Sequence, residues 1–555
     1  MSTINAIRRD SAEEMPEQPD SGSRFWNWYE WLGCGLLALI AFAVPLAVAP
    51  PTIFPGFNTD RSWIVEAKNI VLQSLAGTAL IVASLGFVGP LWRRYRGAAL
   101  LPVSFLLAYL AWGAVSVFTT PQPGYSLTFW LPHAFAIGAA LTGPLFLRDE
   151  KKATTLLAAI AIAGLIAGLI GVVGGLGFRG FNRFFYGNDP RDLLEETKTV
   201  IRGVQGGTAR SGSLSTLNNP EYAGGFAASI AAVYAVLFFD WAGSFWNKTV
   251  ARFSFLICGA VLLLHLALTG TRQPWIALTL AGSLRLLLAL RVNRYAMAGG
   301  FCVVVLAALG FGLKVGVAVA GLEAVALAIT VWRNGSLRRL IAGTDRMLLV
   351  LLGLAPVALA FLLVAFSTPG PWNPTGLRIA QRFVSATSGT EESLSERSLM
   401  FSVASQEIRK HPLLGVGPGY YLSQFYPTIG ELVAEDKTGT MYIMRERLGN
   451  RIAEQAHNDY LQIAAEQGVM ALVIFLGAMV ALLAGLVRVI DTHPGTLRRR
   501  LALAFLCCLV TYLGIMFTSF PLNMPERSAI FWCCVAGALG VMTAPREAVA
   551  DEVAA

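Results

Sequence analysis

Charge is what this chain has least of. Only 14% of its 555 residues are charged and 55% are hydrophobic, where a soluble domain carries about 25% charged residues. A soluble protein of that make-up would expose too much apolar surface to stay dispersed. Disordered and collagen-like chains are excluded on the same composition. Cysteine is sparse as well. The seven, Cys34, Cys258, Cys302, Cys507, Cys508, Cys533 and Cys534, all fall in apolar runs. None is spaced as CxxC, so neither a disulfide-stapled secreted fold nor a thiolate metal motif is indicated. They read as small apolar fillers of helices. Met1–Ser23 is polar and mixed in charge, with no signal-peptide apolar core, so the first span is expected to be retained. What the chain does have is long apolar runs and a net charge of +9. In a membrane protein such a basic excess gathers in cytoplasmic loops and requires no nucleic acid to explain it.

Runs of about 20 apolar residues mark membrane spans. They fall near 31–50, 68–90, 98–118, 126–147, 153–175, 219–240, 253–270, 273–291, 295–313, 316–332, 346–367, 460–487, 500–519 and 527–543, about 14 in all. The stretch 295–332 reads equally as one long helix or two short ones by length. Charge decides between them. With two helices, the clusters at Arg93–Arg96, Arg148–Lys152, Lys248–Arg252, Arg285–Arg294, Arg333–Arg346 and Arg498–Arg500 all fall on the cytoplasmic side. The expected fold is therefore an all-α polytopic membrane protein with both termini inside and a large, partly helical external loop. Its divisions are a tail at 1–30, spans one to five in 31–177, a basic external loop at 178–218, spans six to eleven in 219–367, the large loop at 368–459, spans twelve to fourteen in 460–543, and a tail at 544–555. Trp26, Trp28, Tyr29 and Trp31 read as an interfacial aromatic belt ahead of span one. No internal repeat is visible, which counts against a two-fold transporter.

The external loops carry the chemistry. The first holds Arg179, Arg183, Arg191, Lys198, Arg202 and Arg210 against Asp189, Asp192, Glu195 and Glu196. A basic outer face beside a bilayer suits an anionic ligand, although long loops also translocate regardless of charge. Arg210 lies shortly before Asn219-Pro220, which can cap and open a helix. A guanidinium beside a helix N-terminus makes an anion site; the alternative is an Arg that merely snorkels. Arg272 sits in a very short turn between two apolar spans, where a charge is costly unless paired. His265, seven residues before it, reads as a packed core histidine. In the large loop, Ser393–Glu396 has capping-box spacing. A helical apolar face follows, and His411-Pro412 ends it. Gly415, Gly417 and Gly419 then allow a tight bend or a close approach of backbone to ligand. His457 closes the loop at a helix start, where the neutral imidazole is favoured.

Taken in order, Arg210–Glu221, Thr269–Trp275, His411–Tyr421 and His457–Gly468 make the chain resemble the O-antigen ligase superfamily, which includes related polymerases and protein O-oligosaccharyltransferases. His-Pro-Leu-x-Gly-x-Gly followed by Ala-His-Asn-x-Tyr-Leu-Gln and Glu-x-Gly is specific as a pair. The resemblance covers roughly 200–470. It implies a fold like the C-type glycosyltransferases and glycan transfer on the periplasmic face of the bacterial inner membrane. The implied donor is a glycan on undecaprenyl diphosphate; no cofactor and no metal are implied. His457 then matches the family's base, and Arg210 and Arg272 match its diphosphate-binding arginines. Where the family often reads Asn-Pro-Asn this chain has Asn219-Pro220-Glu221, and Gln273 follows Arg272 where the family often has Gly. Arg382, Arg397, Asn458 and Tyr460 are further possible substrate contacts.

These residue types suit that reaction. A diphosphate leaves readily once fixed guanidiniums take up its charge, and a neutral histidine within reach of a hydroxyl supplies roughly 10² to 10⁴ in rate. The acceptor implied is a lipid A core sugar. A growing glycan or a protein hydroxyl would need the same residues, so polymerase and protein ligase remain open. A lipid-linked glycan flippase or transporter is the reading of a different class. It predicts charges in mid-span, for which Lys314 and Glu323 are the main entries in the sequence.

Overall fold

A computed structural model describes residues 24–47, 62–87, 95, 99–175, 217, 219–241, 247–269, 271, 273–289, 392–448 and 453–543. The elements among them are helical. In chain order they are α1 (Arg24–Leu46), α2 (Ser62–Phe87), α3 (Leu100–Phe118), α4 (Pro123–Leu141), the single turn α5 (Gly143–Phe146), α6 (Glu150–Gly175) and α7 (Pro220–Val236). After them come α8 (Lys248–Thr269), α9 (Gln273–Ala289), α10 (Glu392–Lys410), α11 (Tyr420–Glu435), α12 (Thr440–Leu448), α13 (Asp459–Thr492), α14 (Leu497–Ile515) and α15 (Pro525–Thr543). Eight described helical segments are long and apolar enough to cross a membrane. Apolar side chains also cover their outer faces: Ile81, Phe118 and Val480 are each more than 60% exposed. Such a surface is at home in lipid and not in water.

Helices run through eleven of the fourteen expected spans. The other three, 295–313, 316–332 and 346–367, lie outside the described residues, as does nearly all of the basic loop 178–218. One expectation needs correction. The aromatic cluster at 26–31 does not precede the first helix but forms its opening turns. Trp28 faces outward, while Tyr29 is buried and donates to the Ala83 carbonyl at 3.3 Å. Adjacent positions on a helix point some 100° apart, so one short aromatic run serves both the lipid face and the core.

The bundle is organised around α15, which is buried almost throughout. Small residues permit this. A side chain at Gly143 would strike the Ala536 carbonyl, one at Gly537 the Phe505 ring, and one at Gly540 Leu147. Close backbone approach at small residues is how helices associate where no hydrophobic force separates protein from lipid. Buried Cys507, Cys508, Cys533 and Cys534 fill the same contacts as free thiols.

Charges sort to the two ends. At one end Arg285 pairs with Asp240 at 2.8 Å, on a π-helical turn that continues α7. Lys152 pairs with Glu30 at 2.5 Å. Arg148 donates to the Thr543 carbonyl and Arg498 to that of Val541. At the other end the starts of α7, α9, α13 and α15 meet the ends of α3, α8 and α14. There α10, α11 and α12 form a helical cap with its own small core of Leu399, Val403, Tyr421, Phe425 and Ile429. The Tyr421 hydroxyl donates to the Met400 carbonyl at 2.9 Å. Burial, with Glu466 and Glu407 nearby, pushes that hydroxyl's pKa far up, so it remains a donor.

Candidate functional site

The site begins with a broken helix. Gly468 interrupts α13 with φ 87° and ψ 165°, a conformation open essentially to glycine alone. The break frees carbonyls, and the glycine-rich turn takes them up. Val416 N–H donates to the Ala465 carbonyl (2.9 Å) and Gly417 N–H to that of Glu466 (2.7 Å). In return Val469 N–H donates to the Pro412 carbonyl at 2.8 Å. The indole of Trp112 donates to the Gln467 carbonyl at 3.0 Å. The Ser116 hydroxyl reaches the carbonyls of Leu414 (2.7 Å) and Glu466 (3.1 Å). Gly415, Gly417 and Gly419 all have positive φ. A Cβ on Gly415 would meet the Glu466 backbone, and one on Gly468 the Leu413 carbonyl. The paired motifs of the sequence are thus two halves of one hydrogen-bonded joint, and the glycines bring backbone to backbone there.

Eleven residues before Gly468, the chain enters α13 through His457. It is the one non-glycine residue among those described with a positive φ, 52°. Asn458 caps the helix, its side chain accepting from Leu461 N–H at 3.0 Å and donating to the Phe517 carbonyl at 3.0 Å. Asp459 N–H donates to the Met516 carbonyl at 3.0 Å, and the Asp459 carboxylate accepts from Leu522 N–H and the Asn523 amide. The Tyr460 hydroxyl donates to the Leu513 carbonyl at 2.8 Å. Asn458 and Tyr460 are therefore engaged in fixing the helix start against the α14–α15 connection. The His457 ring stands edge-on to Phe520 at 4.7 Å between centroids.

Across from His457 lies Glu221, in the first turn of α7. Asn219 caps that helix and accepts from Glu221 N–H at 2.8 Å. Glu221 Oε1 is 3.9 Å from His457 Nδ1. Oε2 accepts from Arg397 Nη2 at 3.2 Å. With its oxygen turned to the guanidinium, the Gln273 amide accepts from both terminal nitrogens of Arg397, at 2.7 Å from Nη2. Arg397 thus ties the start of α9 to the start of α7. Arg210, Arg272 and Arg382 lie outside the described residues; Gln273 is the immediate sequence neighbour of Arg272. His265 is fully buried and packs on Gly171, as a core histidine.

Sequence reasoning missed a buried layer beneath. Arg527 is fully buried, donates to Ser519 Oγ at 3.2 Å and stacks on the Tyr222 ring at 5.3 Å. Tyr222 in turn meets Phe520 at 5.4 Å. Glu526 pairs with buried Lys68 at 3.8 Å. An ionisable residue inside an apolar helix is itself a signal, and Lys68, Glu526 and Arg527 all gave it. Among the described residues no three His, Cys, Asp or Glu side chains gather in a set that could hold a metal ion.

Multiple apolar helices, with a histidine, a carboxylate and a guanidinium gathered at one end, are those of a multi-pass membrane protein. Residues 257–476 match the family model described as O-antigen ligase, and this supports the O-antigen ligase superfamily for the chain. At family level it supports a membrane glycosyltransferase of ligase or polymerase type, acting with a lipid-linked glycan donor and a glycan acceptor. No curated relative matches the chain.

Proposed function

We propose that the protein is an O-antigen ligase-type transferase. It moves a glycan from undecaprenyl diphosphate to an acceptor hydroxyl, that of a lipid A core sugar, on the periplasmic face of the bacterial inner membrane. The observation that carries the reading is His457, held in a left-handed backbone conformation at a helix start with Nδ1 turned to Glu221. Nε2 is then the nitrogen offered to a substrate. Sidedness rests on charge. Arg148, Lys152, Arg285 and Arg498 cluster at the opposite end, which the positive-inside rule assigns to the cytoplasm. In this reading 178–218 and 368–459 are the periplasmic loops.

The reaction runs as a single displacement. His457 Nε2 takes the proton of the acceptor hydroxyl as its oxygen bonds to the sugar's anomeric carbon. The bond from that carbon to the diphosphate oxygen breaks, and the electron pair leaves with undecaprenyl diphosphate. Arg210 and Arg272, assigned by resemblance, neutralise the departing charge. The proton then passes from His457 to water.

Purified full-length protein, given an undecaprenyl-diphosphate-linked glycan with or without lipid A core, tests this on a gel. A single shift of the core band, absent in His457→Ala, is the expected result. A ladder of longer lipid-linked glycans without added core would make the protein a polymerase instead. No product in either tube would overturn the ligase and polymerase readings and leave a protein acceptor or transport.

A further inference from the structure

Glu221 is held too firmly, and aimed too specifically, to be a surface carboxylate. Its backbone N–H is fixed by the Asn219 cap, and its Oε2 by Arg397, itself braced by Gln273. Only Oε1 is left, and it is buried with no hydrogen-bond partner. His457 Nδ1 is likewise buried and without a hydrogen-bond partner. The two atoms face each other at 3.9 Å. Buried and unsatisfied polar atoms are costly, which favours the two closing on each other. A relative movement of roughly 1 Å brings them into hydrogen-bond range. Catalytic hydrogen bonds are commonly long before substrate arrives and shorten in the complex. The ring packs perpendicular to Phe520 at 4.7 Å between centroids, a contact it would lose by turning away.

We infer that Glu221 is the positioning residue of His457: braced from behind by Arg397, its carboxylate accepts the Nδ1–H of the imidazole and so presents Nε2 to the acceptor hydroxyl. The inference rests on the assignment of His457 as base. A carboxylate on Nδ1 fixes the tautomer and supports the imidazolium as it forms, while remaining ionised itself. Because Arg397 is also bonded to Gln273, the brace ends at the start of the helix that Arg272 precedes. A structural role alone, neutralising Arg397, would require Oε2 and not the orientation of Oε1.

Glu221→Gln separates the two roles. The amide oxygen still accepts from Arg397, but the NH2 group cannot accept from Nδ1–H. With the full-length protein in nanodiscs and undecaprenyl-diphosphate-linked glycan as donor, kcat is expected to fall by about tenfold to a hundredfold. KM for the donor and the thermal midpoint should stay near wild type. Glu221→Asp, which keeps the charge on a shorter arm, should lie between Gln and wild type. In a His457→Ala background, Glu221→Gln should cost nothing further in residual rate, because it acts through the imidazole. A wild-type kcat for Glu221→Gln beside an inactive His457→Ala would overturn the positioning role and leave the base standing. Wild-type transfer by His457→Ala would remove the base and this inference together.

Discussion

At the scale of single residues, His457 carries two demands that conflict. The proposed chemistry needs an imidazole, while the backbone at φ 52° favours glycine or asparagine. Holding a residue with a Cβ in that region costs roughly 1–2 kcal/mol. His457→Gly and His457→Ala are therefore both expected to be inactive but not equally stable. The glycine variant should unfold later by about 1 kcal/mol, read as a higher thermal midpoint in detergent. An alanine variant as stable as the glycine one would mean that the strain is relieved elsewhere. The place of the histidine just before a helix start was legible in the sequence. Its partner was not. Glu221 stands out in the sequence only as a departure from Asn, and Gln273 only as a departure from Gly; the structure makes both of them the residues that grip Arg397. Contacts between positions so distant in the chain leave no trace in spacing or periodicity.

At the scale of elements, helix starts were the most readable feature. Asn219 and Asn458 cap α7 and α13 as their residue type dictates. The capping-box spacing at 393–396 falls in the first turn of α10. The joint between α13 and the glycine-rich turn was only half readable. Alternate glycines indicated a bend, but not that its amides would satisfy carbonyls freed inside another helix. That joint makes a sharp forecast. Gly468→Ala places a Cβ on the Leu413 carbonyl in a backbone conformation reserved for glycine, and should destabilise by about 3 kcal/mol or more. Gly430→Ala, inside α11 and facing open space, should be neutral or stabilising by about 0.5–1 kcal/mol. Size-exclusion profiles and thermal midpoints of the two variants check this. Equal behaviour would show that the break in α13 is not required.

At the scale of the whole molecule, composition alone pointed to a helical membrane bundle, because lipid leaves few other ways to satisfy a backbone. It did not reveal the buried charges. Lys68 and Glu526 pair at 3.8 Å between α2 and α15, with neither side chain more than 2% exposed. Removing the cation leaves the Glu526 carboxylate buried without it, so Lys68→Met should destabilise by about 3–5 kcal/mol, while adding Glu526→Leu recovers most of the loss. A double-mutant cycle on thermal unfolding reads the coupling; additive losses would mean that each charge is satisfied elsewhere. The distribution of the site over the chain has one more consequence, in time. Glu221 enters the membrane early in synthesis and His457 late, yet the start of α13 at His457, Asn458 and Asp459 also rests on Phe520, Phe517 and Ser519, in the connection between α14 and α15. A ribosome-bound chain that has delivered every motif residue still lacks these contacts until α14 and α15 insert. On the proposed mechanism, a lipid-linked donor meets a seated base only after that hairpin is in place.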